Sequence, residues 1–295
     1  MKKGVLWTNL SRARISNLFK ERGMKIGVHI VKQLLKQLGY VRRKLVKNKS
    51  MGVAEQRNEQ FENIARLKRE FINYGHPVLS IDSKKKEMIG DFYREGYVYS
   101  QEPIEVNDHD FNSFAKETII PHGIYDLYQD KCYLSLGTSK DTAAFVCDNL
   151  EYWWENRIKY YYPAAPRLLL LCDGGGSNSC RNYIVKEKLY QLSKKLSIEI
   201  VVAHYPAYCS KWNPIEHKAF PHITTAWQGA VFDSREIMVS LAEEHARTKT
   251  GFYVEAWVNE KEYLTGIKAS DEFKKKYPIK HSTNLHKWNY SFNSS

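Results

Sequence analysis

The feature that most constrains the fold is an uninterrupted apolar run at residues 168–172, which is followed directly by Asp173. A run of this length without polar alternation is typical of a central strand that is covered on both faces. Segments with helical spacing lie before it, at 141–157, and after it, at 180–196. The sequence therefore predicts an α/β fold in which helices flank a sheet.

Four further segments are predicted to be strands. HPVLSID at 76–82 is a short apolar run, GIYDLY and KCYLSLGT form a hairpin across Gln129 and Asp130, and IEIVVAHY follows the helix at 180–196. The resulting order is strand, hairpin, helix, strand, helix, strand, helix. We expect a mixed five-stranded sheet flanked by helices within residues 76–295.

Three acidic residues occupy special positions in this order. Asp82 ends the first strand, Asp173 ends the fourth, and Glu216 opens the helix that follows the fifth, within SKWNPIEH. Folding of these elements would bring three carboxylates from distant segments into one cluster. Such a cluster repels itself unless divalent cations neutralise it, and Mg²⁺ prefers carboxylate oxygens together with water and phosphate. These acids are therefore candidate metal ligands.

The positive charge of the chain is concentrated at one end. Residues 1–50 contain 14 Lys or Arg and one acid, whereas the remainder contains 31 basic and 32 acidic residues. A concentrated basic block is the electrostatic footprint of a protein that binds a polyanion such as DNA. The alternative is a solvated basic tail.

The basic block also has a recognisable pattern. Helical spacing at 10–22 and 28–38, joined by GMKIG, predicts a small all-α segment like a helix-turn-helix, followed by the basic wing YVRRKLVKNK. We expect residues 1–50 to bind DNA, with Arg42, Arg43 and Lys44 among the contacts. Residues 51–75 are predicted to form a linking helix.

Several uncommon motifs occur together and in order: IDSKKKEMIG, EVNDHDF, GIYDLY, LCDGGGSN, HYPAYCSKWNPIEH and HKWNYSF. In this combination the chain resembles the Rhodopirellula-type DDE transposase family, a group of bacterial insertion-sequence transposases. The resemblance runs from about Gly4 to Phe292. It implies a ribonuclease-H-like catalytic domain over residues 76–295.

The resemblance also implies a reaction. Asp82, Asp173 and Glu216 would be the catalytic triad and would bind two Mg²⁺ or Mn²⁺ ions, which clamp the scissile phosphate between the attacking and leaving oxygens. A water would first nick DNA at the end of the element, and the freed 3′-hydroxyl would then attack target DNA. The expected function is metal-dependent strand cleavage and strand transfer.

Other residues receive weaker assignments. Lys84, Lys85 and Lys86 follow Asp82 closely enough to contact phosphates, although a charged turn is an equal alternative. Asn178, at the start of a predicted helix, and Lys211 are further candidate DNA contacts. The roles of four residues in or beside the motifs remain open: Glu87, an alternative acid to Asp82, and His109, Asp110 and His217.

Two other functions remain open at this stage. One is a ribonuclease-H-like nuclease without strand transfer, and the other is a non-catalytic DNA-binding remnant. Members of the family are usually longer at the N-terminus, so the chain is expected to be an N-terminally truncated copy.

The expected partners are the terminal repeats of the element, target DNA and further copies of the chain, because transposition holds two DNA ends together. No membrane and no small-molecule substrate are expected, since no apolar run approaches the length of a bilayer. An N-terminus without a signal peptide and an odd number of cysteines indicate the bacterial cytoplasm, with association to the nucleoid when DNA is bound.

Overall fold

The computed structural model describes residues 6–43, 56–175, 181–206, 209–283 and 285–293. It divides the chain into two compact units, Met1–Lys49 and Ser50–Ser295. Within the described ranges, no helix is long and apolar enough to cross a membrane.

The first unit contains the two predicted helices, α1 (Arg12–Glu21) and α2 (Val28–Gln37). The Ser11 hydroxyl caps α1 by accepting a 3.1 Å hydrogen bond from the Arg14 N–H. Residues 40–43 of the predicted wing form no strand. The rest of the wing, 44–49, lies outside the described residues.

The second unit combines helices with strands. Its described helices are α3 (Arg57–Asn73), α4 (Ala143–Asn156), α5 (Tyr183–Leu196), α6 (Pro214–Lys218), α7 (Phe220–Ala226), α8 (Arg235–His245) and α9 (Asp271–Lys276). Its described strands are β1 (Val78–Ser83), β2 (Glu87–Ile89), β3 (Glu117–Asp126), β4 (Lys131–Gly137), β5 (Arg167–Cys172), β6 (Glu199–His204), β7 (Tyr253–Asn259), β8 (Lys280–His281) and β9 (Asn289–Phe292).

The described strands form one mixed sheet in the order β7-β4-β3-β1-β5-β6-β9-β8, with β2 paired to β3. The predicted mixed sheet flanked by helices is confirmed. The five predicted strands are its centre: β1, β5 and β6 are parallel neighbours, β3 pairs antiparallel with β1, and β4 pairs antiparallel with β3. The strands β7, β8 and β9 extend both sides of this centre, and β2 adds to one end of β3.

Helices cover both faces of the sheet. On one face, α4 and α5 pack on the sheet through a core that includes four large residues of α4: Phe145, Leu150, Trp153 and Trp154. On the other face, α6, α7 and α8 pack on β3, β4 and β7, and α3 packs on β1, β5 and β6. The predicted linking helix is thus part of the second unit's core.

Candidate active site

Asp82 and Asp173 lie at the same edge of the sheet. The parallel strands β1 and β5 are in register, with Ser80 opposite Leu171. Continuing this register by two residues places Asp82 level with Asp173, just beyond the end of β5. Since neighbouring strands lie about 4.8 Å apart, the two carboxyl groups start from adjacent backbone positions.

Glu216 lies on the short helix α6, which packs on one face of the sheet. Pro214 starts this helix, in the position where its missing N–H costs nothing. The side chain of Ile215 points into the core. Glu216 itself is half-buried.

A glycine lets α6 come close to Asp82. Gly123 on β3 is the cross-strand partner of Asp82. A Cβ atom at this position would lie 2.6 Å from Cδ1 of Ile215 and 2.8 Å from the ring of Phe220. The absence of a side chain therefore allows α6 and α7 to pack directly on the strand beside Asp82.

The three carboxyl groups affect one another electrostatically. Burial raises the pKa of Asp82 to about 7, with further contributions from the charges of Asp173 and Glu216. The pKa of Glu216 is raised by burial and then by Asp173. Each of these groups is thus difficult to ionise beside the others, as expected for acids that share one small site.

Local hydrogen bonds partly offset this repulsion. The N–H of Ser83 donates to Oδ1 of Asp82 at 2.8 Å, and the N–H of Gly175 donates to Oδ1 of Asp173 at 3.2 Å. The pKa of Asp173 is nevertheless raised, mainly by burial and also by the charge of Asp141. Asp141 was not predicted to lie near the site. It directly precedes Thr142, the N-cap of α4, which places it at the start of that helix.

The donor set suits hard divalent cations. Asp82, Asp173 and Glu216 offer carboxylate oxygens, and their mutual repulsion is the kind that Mg²⁺ or Mn²⁺ relieves. Among the described residues, no three His, Cys, Asp or Glu side chains are arranged to hold one ion together. The three carboxylates therefore suit cations that each bind one or two of them and complete their coordination with water and phosphate.

His204 supports the chain at Asp173. This buried imidazole donates from Nδ1 to the backbone oxygen of Asp173 at 2.8 Å, and its Nε2 lies 2.8 Å from the hydroxyl of Tyr290. Burial lowers the pKa of His204 to about 4, so the ring is neutral and accepts at Nε2. Tyr290, in the sequence motif HKWNYSF, thereby links β9 to the end of β5 that precedes Asp173.

Comparison with protein-family models decides the family. The model described as the Rhodopirellula transposase DDE domain matches residues 1–294. The chain belongs to this family. The predicted resemblance is confirmed, and with it the function of an insertion-sequence transposase, an enzyme that cleaves DNA and transfers the cut strand.

Solved structures show the same fold. The transposase has a TM-score of 0.51 and 16% identity to the mariner Mos1 paired-end complex with Mg, over 86% of this chain and 76% of that one. For the Mos1 strand transfer complex the TM-score is 0.50 at 19% identity, over 86% and 75%. The predicted ribonuclease-H-like fold is confirmed. A sequence search among curated proteins gives no significant match.

Membership of the family implies a partner and a kind of cofactor. The partner of the transposase is DNA, and DDE transposases work with divalent metal ions.

The lysines after Asp82 have different surroundings in the transposase. Lys84 is largely buried and forms a 3.0 Å ion pair with Glu87, while its charge also lowers the pKa of Glu216. Lys85 and Lys86 are exposed. Lys84 thus interacts with the neighbouring carboxylates of Glu87 and Glu216, whereas Lys85 and Lys86 are accessible to a phosphate backbone.

Glu87, the alternative acid, is held by two cations. Besides Lys84, it contacts Arg94 at 3.3 Å, and both arginine and glutamate are mostly buried. Arg94 also donates to the backbone oxygens of Met88 and Ala230. This network gives Glu87 a structural environment distinct from that of the three clustered acids.

Lys211 and Trp212 are exposed beside Glu216, and 53% of the Trp212 surface is accessible. The Trp212 ring meets the edge of Phe61 with centroids 6.1 Å apart. Four other residues named from the sequence are also exposed: Arg42 and Arg43 in the first unit, and His109 and Asp110 in the segment between β2 and β3. His217 is exposed on α6, and Asn178 and Lys44 lie outside the described residues.

Proposed function

We propose that Asp82, Asp173 and Glu216 hold two divalent cations, Mg²⁺ or Mn²⁺, and that this site performs both strand cleavage and strand transfer. The observation that carries the proposal is the convergence of three carboxylates from distant segments at one sheet edge, where burial and then the charges of Asp173 and Glu216 raise the pKa of Asp82 to about 7. Bound cations would supply charge stabilisation for the attacking and leaving oxygens of the scissile phosphate.

Asp82 interacts with both other members of the triad. Burial raises its pKa first and the charges of Asp173 and Glu216 raise it further, while the pKa of Glu216 is affected by burial, by the charge of Asp173 and by a hydrogen bond with Asp82. All three carboxylates would therefore take part in holding the cations. The Ser83 and Gly175 N–H groups orient the carboxylates of Asp82 and Asp173 through the hydrogen bonds described above.

The exposed cations near the triad would position the DNA. Lys85, Lys86 and Lys211 lie close in sequence to Asp82 and Glu216 and are accessible. Contacts of this kind fix the register of the backbone without reading its sequence. Lys84 contributes as a neighbouring charge that favours ionised Glu216. Asn178 is proposed as a phosphate contact from its sequence position.

The basic first unit would supply most of the binding energy for DNA. It carries the exposed Arg42 and Arg43, and the sequence adds Lys44. We propose that it binds the terminal repeats of the element, and that copies of the transposase assemble on paired ends. The Mos1 structure named as a paired-end complex with Mg supports this assembly by analogy. The proposed location is the cytoplasm, at the nucleoid.

Labelled DNA carrying one end of the element, mixed with a target plasmid and Mg²⁺ or Mn²⁺, tests the function. We expect two products, a strand nicked at the element end and the same strand joined to the plasmid. Cleavage without joining would instead support a nuclease. The absence of any metal-dependent product, with DNA binding intact, would support a non-catalytic DNA-binding protein.

A further inference from the structure

A buried hydrogen-bonded bridge connects the strand of Asp82 to the helix of Glu216. The hydroxyl of Ser80 donates to Oδ1 of Asn213 at 2.6 Å, and the amide of Asn213 donates to the backbone oxygen of Ile81 at 3.0 Å. Both bridge side chains are completely inaccessible to solvent. Ser80 and Asn213 are 133 residues apart in the sequence, so the bridge is a purely tertiary link.

The bridge also includes the first turn of α6. The backbone N–H of Ile215 donates to the hydroxyl of Ser80 at 3.0 Å, and the N–H of Glu216 lies 3.0 Å from the backbone oxygen of Asn213. Ser80 therefore serves as donor and acceptor at once. The two side chains thus tie the Ile215 N–H, next to Glu216, to the backbone oxygen of Ile81, next to Asp82.

The position of Glu216 depends on such external contacts. Helix α6 has five residues, and a helix of this length has little stability of its own. Ser80 lies two residues before Asp82, so both side chains lie on the face of β1 that α6 covers. The bridge thus sets where Glu216 lies relative to Asp82, independently of any contact with DNA.

We propose that Ser80 and Asn213 are positioning residues, which hold Glu216 at the separation from Asp82 at which the two carboxylates bind divalent cations together. This inference rests on the proposed function of the triad. Loss of the bridge should weaken cation binding and leave DNA affinity unchanged. Supporting residues behind metal ligands typically change metal affinity by about 10- to 100-fold when removed.

The test uses full-length Ser80→Ala, Asn213→Ala and the double variant. The first readout is the melting temperature of DNA-free protein titrated with Mn²⁺, because a cation that binds the folded state raises it. We expect the Mn²⁺ concentration for the half-maximal rise to increase about tenfold or more. The Mg²⁺ requirement of strand cleavage should shift in parallel, at unchanged affinity for element-end DNA.

The two single variants break the same bridge, so their effects on the Mn²⁺ midpoint should not add in the double variant. If Asn213→Ala does not fold, the test rests on Ser80→Ala alone. That variant is the smaller change, because it removes a single oxygen atom.

Matched controls come from buried groups elsewhere. Ser193 donates to the backbone oxygens of Ile198 and Phe292, and Asn259 donates to Asn149, all without contact to the triad. Ser193→Ala and Asn259→Ala should lower the melting temperature without moving the Mn²⁺ midpoint. If Ser80→Ala behaves like these controls, the inference is overturned.

Failure of the inference can be separated from failure of the proposed function. When Asp173→Asn abolishes both the Mn²⁺ response and cleavage while Ser80→Ala leaves both intact, only the positioning role is wrong. When Asp173→Asn leaves both intact, the triad assignment itself is wrong.

Discussion

Ser83 and His122 face each other across β1 and β3, and neither side chain has a hydrogen-bond partner among the described residues. The His122 ring is fully buried, and burial lowers its pKa to about 4. Ser80, three residues earlier on the same strand, lies on the opposite face and has every hydrogen bond satisfied. The hydroxyl of Ser80 is therefore hydrogen-bonded, whereas the hydroxyl of Ser83 on the same strand is not, within the part of the chain that the structure describes.

This contrast predicts opposite effects on stability. Ser80→Ala should lower the free energy of unfolding by about 1–3 kcal/mol, because it leaves Asn213 and the Ile215 N–H without their partner. Ser83→Ala should be neutral or stabilising by up to about 1 kcal/mol, since it removes an unpaired buried hydroxyl. Guanidinium denaturation of both variants measures the difference, and equal losses would contradict it.

Gly123 should tolerate no side chain. In Gly123→Ala the added methyl group would lie 2.6 Å from Cδ1 of Ile215, and overpacking of this kind costs about 1–3 kcal/mol. Helix α6 would also move away from Asp82, so Mg²⁺-dependent cleavage should fall. Ile215→Val removes the nearest clashing atom, and combining the two changes should recover part of the stability in guanidinium denaturation. Wild-type stability of the single variant would refute the close packing.

The sequence predicts the central strands of the sheet well and the long-range contacts around the candidate site poorly. Apolar runs locate β1, β5 and β6, because buried central strands need continuous hydrophobic residues. The acids at the ends of β1 and β5, Asp82 and Asp173, follow from the same pattern. The strands β8 and β9 are short and lie at an edge of the sheet. Pairing of β9 with β6, and of β8 with β9, rather than local pattern decides their conformation.

Long-range polar contacts hold the residues of the candidate site in place. The bond between Ser80 and Asn213 and the bond from His204 to the backbone of Asp173 join separate elements. The one available signal was Ser80 itself, a polar residue in an otherwise apolar run and on the same face as Asp82. The ion pair of Lys84 with Glu87 could not be predicted either. The position of Lys84 near Asp82 in the sequence suggested a phosphate contact, whereas the structure shows a largely buried pair with Glu87.

The stability of the metal-free protein should depend on the ionisation of Asp82. Its pKa is about 7 in the folded protein against an ordinary 3.8. Between these values the folded state binds a proton that the unfolded state releases. The free energy of unfolding therefore falls as pH rises from about 4 towards 7. Asp82→Asn should therefore raise the free energy of unfolding at about pH 8 by roughly 1–3 kcal/mol, and by little below about pH 4.

The measurement is thermal or chemical unfolding in chelator at both pH values. Added Mg²⁺ should stabilise the wild type and have a smaller effect on Asp82→Asn, because the cation offsets the same repulsion. A variant that is less stable than the wild type in chelator at about pH 8 would contradict the electrostatic account.

DNA binding by the first unit should depend strongly on salt. Each phosphate contact contributes about 0.9 to the slope of log affinity against log salt. The double variant Arg42→Ala with Arg43→Ala should therefore reduce this slope by about 2 in fluorescence anisotropy titrations. Lys249→Ala with Lys275→Ala removes the same charge from exposed positions of the second unit. An equal reduction in that control would refute a specific role for the two arginines.

The most direct test of the triad is Mg²⁺- and Mn²⁺-dependent cleavage of labelled element-end DNA by Asp173→Asn and Glu216→Gln, compared with Glu87→Gln. Glu87→Gln is the matched control because it neutralises a nearby carboxylate that is already paired with Lys84 and Arg94. We predict that the two triad variants bind DNA with wild-type affinity and lose cleavage by at least about a thousandfold, whereas Glu87→Gln cleaves whenever it folds. Undiminished cleavage by Asp173→Asn, or loss only in folded Glu87→Gln, would contradict the assignment.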